Sequence, residues 1–390
     1  MTETFDAVVV GGGPCGATAA DELARHGRSV LLLDKAGRIK PCGGAIPPRL
    51  IRDFGIPAHL LTARITAARV IAPSTRAVDM PIDGGFVGMV DRDVFDEWLR
   101  DRAASDGAVR RTARFGKISR DTDGTTVVHY QMKDGSAASA RTRVVIGADG
   151  AKSGVAAQSI PGADKVPHVF AYHEIIRTPA RGIDGTRCDI YYQGQVSPDF
   201  YGWIFPHGET TSIGSGSMRK GFSLRQSVTR LRDIAGLKDA DTVRREGAPI
   251  PLRPMRRWDN GRDVLVAGDA AGVVAPASGE GIYYAMEGGR LAAEAADAFL
   301  ATGDARALRT ARKRFMKAHG RVFWILRMMQ HFWYASDRRR EQFVSICKDP
   351  DVQRMTWDSY MNKQLTRARP ASHVRIFLKD MAHLLGLASA

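Results

Sequence analysis

A chain of 390 residues, 44% hydrophobic and 25% charged, has the length for two or three domains and the composition of an ordinary globular protein. Its 57 Lys+Arg against 42 Asp+Glu give a formal charge of +15, which favours phosphates, dinucleotides or acidic lipid, or is simply a basic solvated surface. There is no Lys/Arg-rich tail, zinc-type Cys/His spacing, signal-peptide pattern or run of about 18 apolar residues. Nucleic-acid binding, a metal site, secretion and a membrane span are therefore not expected. The four cysteines, Cys15, Cys42, Cys188 and Cys347, form no CxxC and fit a reducing, cytoplasmic compartment.

In chain order, residues 5–10 read as a short apolar strand, 11–16 as a glycine turn and 17–26 as a helix. A second strand over 29–33 ends at Asp34, which closes a βαβ opening. Short strands broken by Pro73, Pro81 and Gly84 follow over 65–90. A helix over 92–104 carries Val94, Phe95, Trp98 and Leu99 on one stripe. A hairpin covers 109–135, and 144–146 is a short buried strand. From about 166 to 250, alternating apolar residues and turns predict an antiparallel sheet, with Pro206 and the Gly214/Gly216 pair marking turns at strand ends. The buried-strand signature returns at 264–267, followed by a glycine turn and a helix, so the first domain is left and re-entered. Beyond 300 the chain reads as helical.

The spacing Gly11-x-Gly13-x-x-Gly16, between a strand and a helix, is the context in which a glycine fingerprint has meaning. Without side chains the backbone can close on a pyrophosphate, and the helix start offers its unpaired N–H groups to the charge. Asp34, with Lys35 beside it, stands where a carboxylate accepts adenosine ribose hydroxyls. Two later turns extend the pattern: a strand delivers Asp149 and Gly150, and another delivers Gly268 and Asp269. A simple NAD dehydrogenase has no need of a glycine-acid turn so far downstream. A flavin does, because its ribityl chain must be held between pyrophosphate and ring.

Tyr201, Trp203 and Phe205 alternate along a predicted strand and so share one face, either a wall for a long apolar substrate or flavin ring, or a core stripe. Cys42 precedes Gly43 and Gly44, which permit close backbone approach; a buried free cysteine is more often packing than chemistry. Residues 276–281, with Gly279, Glu280 and Gly281, open a helix over 282–291. Residues 321–334 are rich in large apolar groups, with Val322, Ile325, Met329 and Phe332 on one face. That segment is either a packing helix or one that lies in a membrane interface or lines an isoprenoid entry. Val374, Phe377, Leu378, Met381, Leu384 and Leu385 predict a second such helix.

Gly11 to Gly16, Asp34, Arg92, Asp149-Gly150 and Gly268-Asp269 occur in the order that resembles the p-hydroxybenzoate-hydroxylase-like flavoproteins. With Lys40 to Gly44 and the YGWIFP run at 201–206, the chain resembles the geranylgeranyl reductase family, nearest its (bacterio)chlorophyll-pathway branch. The resemblance implies an α/β fold: a discontinuous Rossmann-like FAD-binding domain over 1–64, 90–160 and 260–300. It further implies an inserted antiparallel β-sheet substrate domain over 65–89 and 161–259, and a C-terminal helical region over 301–390.

The same resemblance implies FAD held by Gly11, Gly13, Gly16, Asp34, Lys35, Cys42, Gly43, Gly44, Arg92, Asp149, Gly150, Gly268, Asp269, Gly279 and Gly281. Asp269 would take the ribityl hydroxyls, and Arg92 would lie near the ribityl–pyrophosphate segment or else be a solvated arginine at a helix start. Cys42, Tyr201 and Trp203 are the catalytic candidates. The implied reaction is NADPH-dependent saturation of three of the four double bonds of a geranylgeranyl group. That group would sit on a tetrapyrrole or a free diphosphate, with the enzyme peripheral on the photosynthetic membrane. An archaeal-type phospholipid reductase, an oxygen-using aromatic hydroxylase or halogenase (the latter wanting a lysine that 201–206 lacks), and a non-catalytic flavin scaffold are the alternatives.

Overall fold

The computed structural model describes residues 3–35, 37 and 39–363. The chain divides into two compact units: Met1–Lys40, Arg92–His168 and Pro249–Arg321 form the first, and Pro41–Asp91, Val169–Ala248 and Val322–Ala390 the second. In this division residues 41–64 fall in the second unit, and of the described residues after 300, 301–321 fall in the first unit and 322–363 in the second. The amphipathic stretch expected over 374–385 lies outside the described residues.

At the centre of the first unit's sheet, residues 7–10, 30–33, 144–147 and 264–266 are buried throughout and have no polar face, as strands covered on both sides must be. Glu3–Val10 pairs in parallel with Val30–Asp34 on one side and Ala137–Gly147 on the other, and Val264–Val266 adds in parallel to the latter. Val109–Arg120 extends the far edge in parallel, and Thr126–Met132 runs antiparallel to it as a hairpin back toward Ala137–Gly147. Residues 144–146 are thus the end of a longer strand. Helix Pro14–Arg25 follows the glycine turn with proline at its first position, where the missing N–H costs nothing. It packs against Ile282–Thr302 backbone to backbone: a Cβ on Gly289 would lie 2.2 Å from the Cys15 carbonyl oxygen. That second helix runs a full eleven residues past its expected end at 291.

Helix Arg92–Ser105 buries Phe95, Leu99 and Ala103, spaced four apart, while Val94 is 57% exposed and does not belong to the stripe. Where this helix meets Pro14–Arg25, Asp21 is buried beside Arg102 at 3.1 Å. Burial, reinforced by the neighbouring Asp106, pushes its carboxyl up to about 6. A carboxyl raised in the folded state favours folding while protonated, so this contribution fades as pH rises through that value. Asp21→Asn is therefore expected to raise Tm at pH 8 and to change it little near pH 4, as read by thermal denaturation across pH.

The second unit holds a seven-stranded sheet in the order Thr242–Pro251, His168–Arg177, Thr210–Ser217, Gly202–His207, Arg187–Tyr191, Ala67–Ile71, Ala77–Pro81. It is not purely antiparallel, because Arg187–Tyr191 pairs in parallel with Ala67–Ile71. A small sheet of Ala45–Ile46, Val87–Met89 and Ala63–Ile65 accompanies it. The helix Leu224–Ile234, hidden among predicted strands, lays Val228 and Leu231 on Ile204 and Ile213 of the large sheet. Among the described residues, the helices Arg309–Trp333, Asp337–Ile346 and Pro350–Asn362 follow. Among the described residues no helix is long and apolar enough to cross a membrane.

Candidate active site

Three turns, some 260 residues apart in sequence from first to last, meet in the first unit at the C-terminal ends of parallel strands. Open α/β sheets bind ligands at that edge. The first is the glycine fingerprint. Gly11 has φ +102°, and a Cβ there would sit 2.4 Å from the Ala148 carbonyl oxygen. A Cβ on Gly16 would fall 1.8 Å from Gly11 O, so the helix can start there only with glycine. At Gly13 a Cβ would meet nothing within 4 Å, which is open space where a pyrophosphate can approach the helix start.

The second turn, Ala148 to Gly150, hangs on the first through the bond from Ala148 N to Val10 O, 2.8 Å. The Asp149 side chain faces its own chain: it accepts from Gly154 N (2.7 Å), Val155 N (3.2 Å) and the Ser153 hydroxyl, starting the helix Gly154–Ser159. Burial raises its carboxyl, and these donors oppose the rise. The Gly150 backbone, with φ +86°, presents the turn.

The third turn is a short 3-10 stretch, Gly268–Ala271, not the start of an α-helix. Gly268 has φ +60°, and a Cβ on it would press to 2.8 Å on Cys15 Cβ at the fingerprint helix. The Asp269 carboxylate is 2.6 Å from the Lys40 ammonium, which in turn lies 3.8 Å from where a Gly150 Cβ would be. Gly279 (φ +66°) and the non-glycine Ala277 (φ +64°) bend the loop that leads to Gly281, the residue before helix Ile282–Thr302. An alanine in the left-handed region is strained, a cost tolerated where a loop has a job.

Asp34 accepts from Gly12 N at 2.9 Å, so the strand-end carboxylate and the fingerprint turn are one structure. Arg100, which sequence reasoning passed over, donates to Gly12 O at 3.1 Å and lies 3.8 Å from Asp34. In the sequence Lys40 stands out only as the start of a cysteine-glycine run. Both cations sit in ordinary-looking surroundings, and only the folded chain brings them to the turns. Arg92 is buried and bidentate to Asp96, 2.7 Å at both oxygens, so it is not a solvated arginine. Lys35 is exposed beside Asp34. The open approach at Gly13, the acceptor carboxylates Asp34 and Asp269 and the cations Lys40 and Arg100 fit a dinucleotide with a polyol chain.

The other candidates belong to the second unit. Tyr201, Trp203 and Phe205 do line one face, with centroids 6.0 and 6.2 Å apart along the row, and Ile204 points to the opposite core. Gly214 and Gly216 are inside the strand Thr210–Ser217, not at its ends, and Pro206 is inside Gly202–His207. The turn between these strands is at Gly208 (φ +72°). The reason is packing: a Cβ on Gly214 would lie 2.1 Å from the Trp203 ring, and one on Gly216 2.8 Å from Phe200. The indole Nε1 donates to Ser212 Oγ (3.1 Å), whose own proton then goes to His173 Nδ1 (2.9 Å), leaving His173 Nε2 to donate to Glu246 (3.1 Å). Cys42 is half-buried, its Sγ accepting from Gly44 N at 3.4 Å. Gly43 and Gly44 are required by close contacts with Phe205 and His207 within this unit.

Helix Arg309–Trp333 turns Phe323, Gln330 and Trp333 inward, whereas Trp324 is 62% and Met328 52% exposed. Val322, Ile325, Met329 and Phe332 lie at the boundary and are not its buried face.

Residues 4–319 match the family described as FAD binding domain. The chain is 60% identical over 385 residues to a geranylgeranyl diphosphate reductase of Rhodobacter capsulatus, covering 98% of each chain. It is 34% identical to one of Synechocystis sp., covering 97% of each. Its fold superposes with TM-score 0.81 on a geranylgeranyl bacteriochlorophyll reductase-like protein of Thermoplasma acidophilum, at 21% identity over 94% of this chain and 98% of that one. The chain therefore belongs to the geranylgeranyl reductase family of FAD-dependent oxidoreductases.

Proposed function

We propose that this enzyme saturates three double bonds of a geranylgeranyl group, as its tetrapyrrole ester or free diphosphate, with NADPH as reductant, in (bacterio)chlorophyll synthesis. The observation that carries the reading is the near full-length identity of 60% to a relative named for that substrate. In support of it, the first unit brings together turns and charges that fit a dinucleotide, and the second has an aromatic face suited to an isoprenoid chain.

In this reading the N–H groups at the start of helix Pro14–Arg25 take the pyrophosphate between Gly11, Gly13 and Gly16, with Lys40 and Arg100 balancing its charge. Asp34 accepts the adenosine ribose hydroxyls, with Lys35 at its side, and Asp269 accepts the ribityl hydroxyls. The backbones of Gly150, Gly268, Gly279 and Gly281 give close approach. Asp149 and Arg92 act at one remove: the first fixes its turn, and the second is locked by Asp96. Bound and reduced, FAD supplies hydride to one alkene carbon. An unpolarised alkene also needs a proton at the other carbon and a water-free surface to lie on. Tyr201 and Trp203 provide that surface, and Cys42, beside Gly43 and Gly44, positions the alkene or passes the proton.

The test is an anaerobic assay with NADPH in which geranylgeranyl diphosphate and the tetrapyrrole ester compete in one tube. Gains of two hydrogens on either tail support the reading. Oxygen-dependent product with unchanged alkenes would move the chain to the hydroxylase alternative.

The exposed Trp324 and Met328, with Arg321 and Arg327 on the same helix, also fit a peripheral position on an anionic membrane. Trp324→Ser is expected to lower flotation with acidic liposomes several-fold; equal flotation removes this part of the proposal. Trp333 is buried and is no probe of the surface.

A further inference from the structure

Trp203, Gly214 and His173 stand side by side on three neighbouring strands: Gly214 pairs with Trp203 on one side and with His173 on the other. All three therefore belong to one face of the large sheet, the face that also carries Tyr201 and Phe205. The missing side chain at Gly214 leaves room for the indole to lie across that strand. A Cβ there would fall 2.1 Å from the Trp203 ring and 2.7 Å from His173 Cβ. Such a seat fits the ring but does not choose which edge points which way, because a half-turn about χ2 gives the indole much the same outline.

The choice comes from polar atoms. The indole N–H can only donate, and it donates to Oγ of Ser212 at 3.1 Å, two residues before Gly214 on the same face. Ser212 Oγ is 2.9 Å from His173 Nδ1, and His173 Nε2 is 3.1 Å from Glu246, which is ion-paired with Arg244 at 3.0 Å. Ser212 and His173 are 1% and 3% exposed. A buried polar line of this kind gains little stability over apolar packing; what it supplies is a single arrangement. In the half-turned ring the N–H would leave Ser212, and a buried donor without its acceptor is costly.

We propose that Ser212, backed by His173 and Glu246, is a positioning residue that holds the Trp203 indole one way round and so sets the register of the isoprenoid tail along the aromatic face. The proposal rests on the reading of that face as the tail's wall, and W203A tests that reading by itself. If W203A binds and reduces the tail as the parent does, the wall falls; if W203A is impaired while S212A is not, only the line of hydrogen bonds falls.

The experiment follows geranylgeranyl diphosphate with NADPH, without oxygen, in S212A, H173L, H173N, W203F and S212A/W203F, each checked for FAD content and far-UV circular dichroism. Losing the bond behind the wall weakens its hold on the tail at every stage, so S212A should raise KM by roughly 3- to 10-fold with kcat for the first double bond within about twofold. A slipped register shows in the products: at equal conversion, S212A should release more tails that have gained only one or two pairs of hydrogens. H173L takes the acceptor from the Ser212 hydroxyl and should shift in the same direction, whereas H173N offers an Oδ1 where Nδ1 stood and should stay nearer the parent. W203F has no N–H to hold, so adding S212A to it should cause no further loss.

Parental KM and products in S212A, or a loss that recurs in full when S212A is added to W203F, would overturn the proposal. A folded H173L that behaves as the parent, or an H173N no better than H173L, overturns it as well. Should H173L not fold, the comparison of S212A with S212A/W203F decides alone. Nuclear magnetic resonance reads the ring without turnover. Of the six indole N–H signals of 15N-tryptophan-labelled protein, the one absent from W203F belongs to Trp203. That signal should move in S212A while the others stay, and an unmoved signal counts against the line.

Discussion

Asp269→Ala yields protein without flavin colour after gel filtration, and its FAD affinity by fluorescence titration falls by roughly 100-fold or more. Asp269 stands where three turns from distant parts of the chain converge, and its carboxylate is 16% exposed. Hydrogen bonds from polyol hydroxyls to a carboxylate in such a place contribute about 1.5–3 kcal/mol each, and two of them account for that factor. The change also leaves the Lys40 ammonium, now 2.6 Å from Asp269, facing an apolar methyl group. Lys40→Met separates the two effects: if the ion pair alone mattered, it would lose FAD as completely as Asp269→Ala. Retained yellow colour and unchanged affinity in Asp269→Ala would remove Asp269 from the cofactor's contacts.

Cys42→Ala keeps its FAD and loses turnover. Cys42 is in the unit that does not carry the glycine-acid turns, and the substitution removes a single half-buried sulfur that accepts from Gly44 N. Cofactor content should therefore match the parent protein. A residue that passes or positions a proton contributes about 10²–10⁴ in rate, so kcat should drop by at least about 100-fold with bleaching of the flavin by NADPH unaffected. Stopped-flow bleaching and steady-state turnover read the two halves separately. Full activity in Cys42→Ala would return the thiol to the packing role of an ordinary half-buried cysteine.

The centre of the first unit's sheet was legible because residues 7–10, 144–146 and 264–266 are apolar runs that lead into glycine turns, and 30–33 is a fourth such run. The turns at Gly11, Gly13, Gly16, Asp34, Gly268 and Asp269, which the fold brings together, show in the sequence as a spacing of glycines and acids. The alternation at Tyr201, Trp203 and Phe205 likewise showed a shared face. What sequence hid were contacts that spacing does not encode. Arg100 and Lys40 reach the turns only through folding. Asp149 spends its carboxylate on the backbone of Gly154 and Val155. Gly214 and Gly216 looked like turn residues, whereas they are strand residues emptied of side chains to seat Trp203 and Phe200. The helix Leu224–Ile234 was lost among strands because its apolar positions are few and set between arginines. On the helix Arg309–Trp333, apolar residues occur all round, so periodicity could not choose the buried side.

The most direct measurement is a single turnover without oxygen: enzyme reduced by dithionite, mixed with geranylgeranyl-bacteriochlorophyllide, quenched and weighed by mass spectrometry. The account predicts a tail heavier by two hydrogens for each flavin oxidised, with further pairs on repeated reduction. A tail of unchanged mass beside flavin that stays reduced, under conditions where a known reductase succeeds, would contradict it.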